Sequence, residues 1–428
     1  MTKQKEKKKA SIVKKMMIAV VAGFVVGFIC LLIKSAVMGT DGEGAWKVVE
    51  AILFQDITAT KDIEGLGLFY IVGQLFMKGL QMMIVPLVLC SLTLALCSLA
   101  NPKKLGRIAG KTFVSYLCFY IVAAALAGAA AYLAKSLGWF TVNLPAQQAQ
   151  DIVTMEGYNP LVTIVNAVTK MGEKADPLKK VFENINDIVQ MFLNFLINKI
   201  APIAIFCMIV RALAVYGIEY ISPTMMWIVV TIVVSLLLVC TIYPIGIFIT
   251  TGLNPFIFLK KAAKIGMFAA ATNSSAATLP LNKETCINEL GCSEEISSFV
   301  LPTGMTINMN GTTAMHMIAI TFIATAAGVN ITPATLCLTA FLSICTAVGT
   351  PAIPVAGTTM VYVVMMGLGL NSDLCMIGYS LILAMNYLPG MAVITLNVIG
   401  DAATNVIVCA KEHCLNKEIY NSKTPKNN

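Results

Sequence analysis

Polar side chains that could bind cations or carboxylates occur inside apolar segments of this sequence. Asn308, Thr312 and His316 are spaced four residues apart, so they share one face of a helix. Asp401 is the only charged residue in the apolar run 375–409. Polar groups in such surroundings are costly unless they pair with one another or bind a ligand. We interpret them as a cation or solute site; the alternative is hydrogen bonding between packed helices.

A second polar set lies in the segment AATNSSAATLP. Asn273, Ser274 and Ser275 precede a predicted helix there. Serines at a helix start can cap it and leave backbone N–H groups free for an anion such as a carboxylate. The alternative is that these are small packing residues between helices.

The elements that must position these residues are predicted membrane helices. The chain has 428 residues, of which 57% are hydrophobic and 12% charged, whereas soluble domains carry about 25% charged residues. This composition argues against a soluble enzyme and against a nucleic-acid-binding protein, and it favours an all-α polytopic membrane protein. A bilayer-spanning helix needs about 20 apolar residues. Eight segments could supply one, at 12–33, 68–99, 113–137, 161–181, 188–216, 225–251, from 297 onward, and 374–409.

Basic residues predict the orientation of the chain in the membrane. Seven lysines lie within the first 15 residues, and further basic clusters occur at 103–111 and 260–264. Such clusters beside apolar spans mark the cytoplasmic side. We therefore expect a multi-pass plasma-membrane protein with both termini in the cytoplasm, and a first span that is retained rather than cleaved. The 13 cysteines include no CxxC pair, so neither a disulfide framework nor a zinc site is indicated.

Two stretches do not fit a simple count of spans. No charged residue occurs in the 77 residues between Glu295 and Asp373, yet PTG, NMNGTT, VNITP and GTPAIPVAG interrupt them. The segment AATNSSAATLP is a comparable interruption before the seventh span. Backbone opened in this way at membrane depth is tolerated only where it is buried in protein or lines a polar cavity. Such breaks in transporters mark the binding site, so we predict two re-entrant hairpins entering from opposite faces.

Four motifs in order, NSSAATLP, INMNGTT, GTPAIPVAG and NVIGD, resemble those of the dicarboxylate/amino acid:cation symporters, the glutamate-transporter family. The resemblance extends from about Ile12 to Lys411. It implies eight transmembrane helices plus two re-entrant helical hairpins, assembled as a homotrimer that works by an elevator mechanism. The implied division is a cytoplasmic tail at 1–11, scaffold at 12–110 and 138–222, transport domain at 111–137 and 223–412, and a tail at 413–428.

The resemblance also implies the residues of the site. Sodium is the implied coupling ion, and no organic cofactor is expected. The implied first sodium site consists of Gly304, Asn308, Asn397 and Asp401, and the second of Thr306 with the backbone of Ala347, Val348 and Thr350. The implied substrate-binding residues are Ser274, Ser275, Met309, Thr312, Ile353, Gly357, Gly390, Val393, Ile394 and Asn397.

This sequence departs from the family pattern at several of these positions. Asn310 replaces an aspartate of a further sodium site, and Phe119 and Tyr120 stand where that site has hydroxyls, so we predict that the site is absent. Val393 replaces the arginine that pairs with an acidic side chain, which disfavours acidic substrates. Gly390 replaces the aspartate that holds an α-amino group.

His316 stands where eukaryotic glutamate carriers have a proton-carrying glutamate. It is a candidate for proton coupling, since histidine titrates near neutral pH. The alternative is a neutral histidine that bonds between helices.

These observations predict a sodium-coupled secondary active symporter of a small organic solute, first of all a neutral amino acid. A sodium- or proton-coupled carrier of a monocarboxylate or dicarboxylate is the alternative, and a channel or sensor on the same fold is a further one. A membrane-embedded enzyme is disfavoured because the spans contain neither HExxH nor paired carboxylates. ATP binding is disfavoured too, since GRIAGKT has three residues between its glycines where a phosphate loop has four. The expected partners are the small-molecule substrate and the lipid bilayer, with no nucleic acid.

Overall fold

The computed structural model describes residues 2–40, 42–55, 65–76, 106–141, 195–216, 221–348, 350 and 356–422, with isolated residues between 79 and 192. Most of the predicted second span and nearly all of the predicted fourth span therefore lie outside the described residues. The same holds for Ile353.

Helices are the only regular elements in these ranges. They are α1 (Thr2–Val37), α2 (Glu43–Leu53), α3 (Gly106–Ser136), a π-helical turn (Leu196–Ile200), α4 (Ala201–Tyr216), α5 (Ile221–Thr251), α6 (Pro255–Thr272), α7 (Ser275–Asn288), α8 (Glu294–Ile307), α9 (Asn310–Ala326), α10 (Pro333–Val348), α11 (Ala356–Gly367), α12 (Asp373–Met385), α13 (Tyr387–Lys411) and α14 (Lys417–Asn421).

Three of the described helices are long and apolar enough to cross a membrane: α3, α5 from Ser222 onward, and α13. Helices α3 and α5 also carry large apolar side chains on their outer faces, among them Leu117, Ile121, Leu236 and Ile249. Exposed apolar faces of this kind are typical of helices that contact lipid. The prediction of an all-helical, membrane-type protein agrees with these features.

Helix α9 forms the centre of the described structure. All but one of the residues Asn310–Ala326 are buried, and the helix packs against α3, α5, α10 and α13. Helix α13 is nearly as buried and packs against α5, α6 and α8. Polar side chains on a membrane helix are costly where they face lipid, and neighbouring helices cover both of these helices. The polar residues of α9 and α13 consequently lie inside the protein.

Two helical pairs flank this centre. Helices α6 and α7 pack together and are joined at Asn273 and Ser274, where Asn273 has a left-handed backbone (φ 45°). Ser274 caps α7, accepting a hydrogen bond from the Ala277 N–H at 3.3 Å. Helices α10 and α11 pack together as well, and of the residues that join them only Thr350 is described. These pairs are the elements from which the predicted hairpins would be built.

The interruptions within the last two predicted spans differ from each other. The seventh span was predicted with opened backbone, and it consists of α8 and α9 with Asn308 and Met309 between them. The eighth was predicted as one run at 374–409, which is wrong. The chain forms α12 and α13 with a break at Asn386. Pro389 explains the break, because it has no N–H to bond with the Met385 carbonyl.

The C-terminal helix α14 is fixed to the α6–α7 pair. The Lys261 Nζ donates to the carbonyls of Glu289 at 2.7 Å, Ile419 at 2.9 Å and Tyr420 at 2.7 Å. The Tyr420 hydroxyl donates to the Asn254 carbonyl at 2.9 Å. The ammonium of one lysine thus holds the carbonyl ends of two segments together.

Candidate functional site

A carboxylate lies in the interior at the break between α8 and α9. Asp401 is 3% exposed, and the Asn308 Nδ2 donates to its Oδ1 at 2.8 Å. The same Nδ2 lies 3.4 Å from the Asn397 carbonyl oxygen. Within the described ranges, no lysine or arginine pairs with Asp401. A buried carboxylate without a countercharge is costly, so the surroundings of Asp401 favour a bound cation.

Gly304 lets the backbone approach this carboxylate closely. A Cβ atom at Gly304 would overlap both the Asp401 carboxylate and the Tyr116 hydroxyl. The Gly304 carbonyl accepts a hydrogen bond from the Asn308 N–H at 2.7 Å. The structure therefore brings together all four residues predicted for the first sodium site: Gly304, Asn308, Asn397 and Asp401. Carbonyl and carboxylate oxygens are the ligands that hard cations prefer.

Helices α8 and α10 contact each other, but no hydrogen bond between described residues joins Thr306 to Ala347, Val348 or Thr350. Thr306 is exposed, and its hydroxyl donates to the Thr303 carbonyl at 3.0 Å. The Ala347 carbonyl accepts the Thr350 N–H at 3.0 Å within its own turn. Ala347 and Val348 instead pack beside Tyr120 and Met309.

Where a further sodium site was predicted to be absent, the backbone of the break bonds to Tyr120. The Tyr120 hydroxyl accepts the Met309 N–H at 2.7 Å and donates to the Ile307 carbonyl. The Met309 N–H also donates to the Ile307 carbonyl at 3.1 Å, so the tyrosine adds a second partner to each of these backbone groups at the end of α8.

The side chain of Asn310 is bonded in the same region. Its Nδ2 donates to the Asn308 Oδ1 at 2.7 Å and to the Tyr243 hydroxyl at 3.2 Å. Phe119 packs edge-to-face against the Tyr243 ring, with centroids 5.0 Å apart. Two hydrogen-bond acceptors and an aromatic ring therefore surround the Asn310 amide, while its Oδ1 is buried without a partner.

A small cavity of about 40 Å³ opens next to this cluster. Eight of the ten predicted substrate residues line it: Ser275, Met309, Thr312, Gly357, Gly390, Val393, Ile394 and Asn397. Ser274 lies behind the wall as the cap of α7, and Ile353 is outside the described residues. None of the described lining residues carries a charge.

The first residues of two helices meet at the cavity. Ser275 begins α7, and Gly357 lies in the first turn of α11. The N-terminal end of a helix carries a partial positive charge and free N–H groups, which favours an anionic group. A carboxylate is therefore the group that the two helix starts are suited to hold.

Asn397 belongs to both the cluster and the cavity. Its carbonyl oxygen faces Asn308, and its side chain lines the cavity. The Asn397 Oδ1 accepts the Gly311 N–H at 2.7 Å, and its Nδ2 lies 3.4 Å from the Thr312 hydroxyl. A ligand in the cavity and a cation at Asp401 would thus contact the same residue.

Sequence reasoning missed three residues of the cavity wall, Met315, Thr358 and Asn386, whereas Asn273 was noted only as part of the second polar set. Thr350, predicted as a sodium ligand, also lines the cavity. Asn386 stands four residues before Gly390, a spacing that places the two on one face of a helix. That spacing was the available signal.

His316 connects α9 to the start of α11. The side chain is fully buried, and its Nε2 lies 2.8 Å from the Gly357 carbonyl oxygen. Its Nδ1 has no hydrogen-bond partner. The neutral tautomer with a proton on Nε2 satisfies this contact.

Comparison with known proteins assigns the family. Residues 12–160 and 161–411 match the Sodium:dicarboxylate symporter family. The chain belongs to this family. Its members are symporters rather than enzymes, and the resemblance inferred from the four motifs is confirmed.

The individual relatives reported below have low sequence identity to this chain. Excitatory amino acid transporter 2 of Mus musculus is 30% identical over 238 residues, which are 55% of this chain and 41% of the mouse protein. Proton/sodium-glutamate symport protein of Bacillus caldotenax is 23% identical over 381 residues, 81% of this chain and 88% of the bacterial protein. Excitatory amino acid transporter of Caenorhabditis elegans is 30% identical over 246 residues, 56% of this chain and 47% of the worm protein. The chain matches less than half the length of the two animal relatives.

Proposed function

We propose that this protein is a sodium-coupled symporter of a small neutral amino acid. The observation that carries the proposal is Asn397, which faces the buried Asp401 cluster with its carbonyl and the solute cavity with its side chain. A cation bound at Asp401 would fix Asn397 and with it one wall of the cavity. Coupling follows when the cation binds best to the conformation that also binds solute.

The cavity wall supports a substrate with one carboxylate and no net charge. The starts of α7 and α11 suit the carboxylate, while Met309, Val393 and Ile394 offer apolar surface. A second carboxylate would find no described cation there, and it would be costly to bury. A monocarboxylate is the second candidate, because the described wall has no carboxylate to pair with an ammonium. A dicarboxylate fits less well.

The ion sites are part of the same proposal. One sodium binds among Gly304, Asn308, Asn397 and Asp401, and a second binds when α10 brings Ala347, Val348 and Thr350 toward Thr306. The third site is replaced by the hydrogen bonds of Tyr120 and Asn310. His316 is a candidate proton carrier because its Nδ1 is free to take a proton.

The proposed setting follows the family resemblance. It comprises a homotrimer, an elevator mechanism, and scaffold and transport domains with the boundaries given above. It also places the protein in the plasma membrane, with both termini in the cytoplasm. A channel or sensor on the same fold is the competing function.

Uptake into proteoliposomes tests the proposal. With an inward sodium gradient, we expect a neutral amino acid to accumulate above its external concentration. Vesicles with equal sodium on both sides are the control and should only equilibrate. Flux that never exceeds equilibrium under the sodium gradient would contradict symport and favour the channel.

A further inference from the structure

A polar recess opens from the solute cavity at Gly390. A Cβ atom at this position would lie 3.4 Å from the Asn273 Nδ2 and 3.4 Å from the Asn386 Nδ2. It would also lie 3.5 Å from the Asn273 Oδ1. Two carboxamides, one from the α6–α7 junction and one from the α12–α13 break, therefore face the space that a side chain would fill.

Asn386 has an unused hydrogen-bond acceptor beside this recess, on the same carboxamide whose Nδ2 faces the Gly390 position. The residue is 7% exposed and lines the cavity, and its Oδ1 has no hydrogen-bond partner. Its backbone is occupied, since the Asn386 carbonyl accepts the Gly390 N–H at 2.8 Å. A buried acceptor without a donor is costly, so such an atom in a binding cavity calls for a donor from the ligand.

Among the other described wall residues, only the Thr358 hydroxyl is likewise buried without a partner. A hydroxyl can donate as well as accept, whereas the Asn386 Oδ1 can only accept. Ser275 and Gly357 at the two helix starts suit a carboxylate, and the Asn397 Oδ1 accepts the Gly311 N–H. A small neutral amino acid brings one further strong donor, its α-amino group. The recess beside Asn386 is the part of the cavity with an acceptor to spare.

We propose that Asn386 determines substrate specificity by accepting a hydrogen bond from the α-amino group, in the recess that Gly390 leaves open beside Asn273. This inference rests on the proposed function and names how its substrate is recognised. Because the acceptor is a neutral carboxamide, the recess selects for a donor rather than for a positive charge. A 2-hydroxy acid, whose hydroxyl is also a donor, should compete with the amino acid. The analogue with neither group should compete poorly.

Matched ligands test this recognition on the full chain in proteoliposomes. L-alanine, L-lactate and propionate are each tested as competitors of the sodium-driven uptake of the neutral amino acid. The comparison is repeated with L-leucine and with the hydroxy acid and deaminated acid of the same size. Asn386→Leu removes the acceptor while keeping the volume. We expect competition by the amino and hydroxy acids to weaken roughly ten-fold or more, with no change for the deaminated acid.

Two further variants change the charge or the space of the recess. Asn386→Asp supplies a charge, so the amino acid should gain over the hydroxy acid. Gly390→Ala fills the recess and should weaken both amino and hydroxy acids. If Asn386→Leu does not fold, these two variants still decide the outcome.

Thr404→Val is the control. The Thr404 hydroxyl is buried without a hydrogen-bond partner, and it lies on α13 away from the cavity. Its removal should leave the relative competition by the three ligands unchanged. If Asn386→Leu weakens competition by all three ligands equally, or by none of them, the inference is overturned. Sodium-driven accumulation by the unaltered protein would still leave the proposed function standing. Accumulation of no amino acid by the unaltered protein would overturn both.

Discussion

Asp401 is the only acidic side chain among the buried residues that the structure describes. Its single side-chain donor is the Asn308 amide, and the close backbone of Gly304 leaves little room beside it. One neutral donor does not compensate a carboxylate taken out of water. The residue is therefore suited to bind a cation that the described residues do not supply.

Asp401→Asn keeps the shape of this side chain and removes its charge. We expect sodium to raise the melting temperature of the unaltered protein, because a ligand that binds only the folded state stabilises it. In the variant this sodium-dependent rise should disappear. The measurement is thermal unfolding in detergent with sodium or with potassium at equal ionic strength, and Thr404→Val should respond like the unaltered protein. A rise of the same size in Asp401→Asn would rule out this carboxylate as the ligand.

His316→Gln tests proton coupling at the residue that bonds to Gly357. A glutamine amide can still donate to the Gly357 carbonyl, but it cannot take up a proton. We expect sodium-driven uptake by the unaltered protein to depend on external pH, and the variant to transport with a flat profile. An unchanged pH profile in the variant would show that His316 only joins α9 to α11.

The sequence was sufficient to find most single residues of the site, but not all of them. Thr312 and Asn397 stand out because polar groups are rare in apolar runs. Asn386 was overlooked because nothing in its spacing reveals that its Oδ1 is buried without a partner. That property depends on where Asn273 and Gly390 lie in space.

At the level of elements, the break between α8 and α9 depends on a side chain from a third helix. Tyr120 on α3 bonds to the Met309 N–H and the Ile307 carbonyl, which are otherwise joined to each other at 3.1 Å. The hydroxyl thus holds the opened backbone in place. This arrangement supports the proposal that no sodium ion is needed there.

Tyr120→Phe removes this hydroxyl and both of its buried hydrogen bonds, leaving the Met309 N–H and the Ile307 carbonyl with only their 3.1 Å bond to each other. We expect the free energy of unfolding to fall by about 1–3 kcal/mol, seen as a lower melting temperature in the absence of sodium. Tyr132→Phe is the matched control, because Tyr132 lies on the same helix and is exposed. The two variants should differ clearly, and equal melting temperatures would contradict the role given to Tyr120.

Apolar composition predicted the helices better than their interruptions. The glycine, asparagine and threonine of NMNGTT indicated one break, and Asn308 and Met309 lie at that point. The run 374–409 gave a weaker signal, since Asn386 and Pro389 stand three residues apart among apolar neighbours. A single proline is compatible with a kinked but continuous span, so composition alone did not predict two helices.

At the level of the whole molecule, a cluster of charges joins two helices that are far apart in sequence. Glu412, just after α13, forms ion pairs with Arg107 and with Lys111, the latter at 2.7 Å. Hydrogen bonds from Lys111 and Arg107 lower the pKa of the Glu412 carboxyl below its ordinary value. Basic residues at 103–111 were predicted to lie at the cytoplasmic face, and their contact places the end of α13 beside the start of α3.

Glu412→Gln tests what this ion cluster contributes. A lowered pKa means that the stabilisation is present above the ordinary carboxyl pKa and is lost as pH falls through the lowered value. The unaltered protein should therefore lose stability faster than the variant below about pH 4. The difference should be small and should shrink in high salt, because Arg107 is largely exposed. The measurement is the melting temperature of both proteins as a function of pH, with the surface variant Glu295→Gln as control. If the melting temperatures of the unaltered protein and of Glu412→Gln fall in parallel at acid pH, this role of the ion cluster is contradicted.

The contacts of Lys261 make the end of the described chain a suitable position for a label. Since its ammonium holds carbonyls of both Glu289 and the α14 residues Ile419 and Tyr420, the end of the described chain is fixed to the α6–α7 pair rather than free in solvent. A fluorophore attached at Ser422 would therefore report the movement of that pair relative to a second dye on α1. Changing Lys261 would uncouple the reporter without touching the cavity.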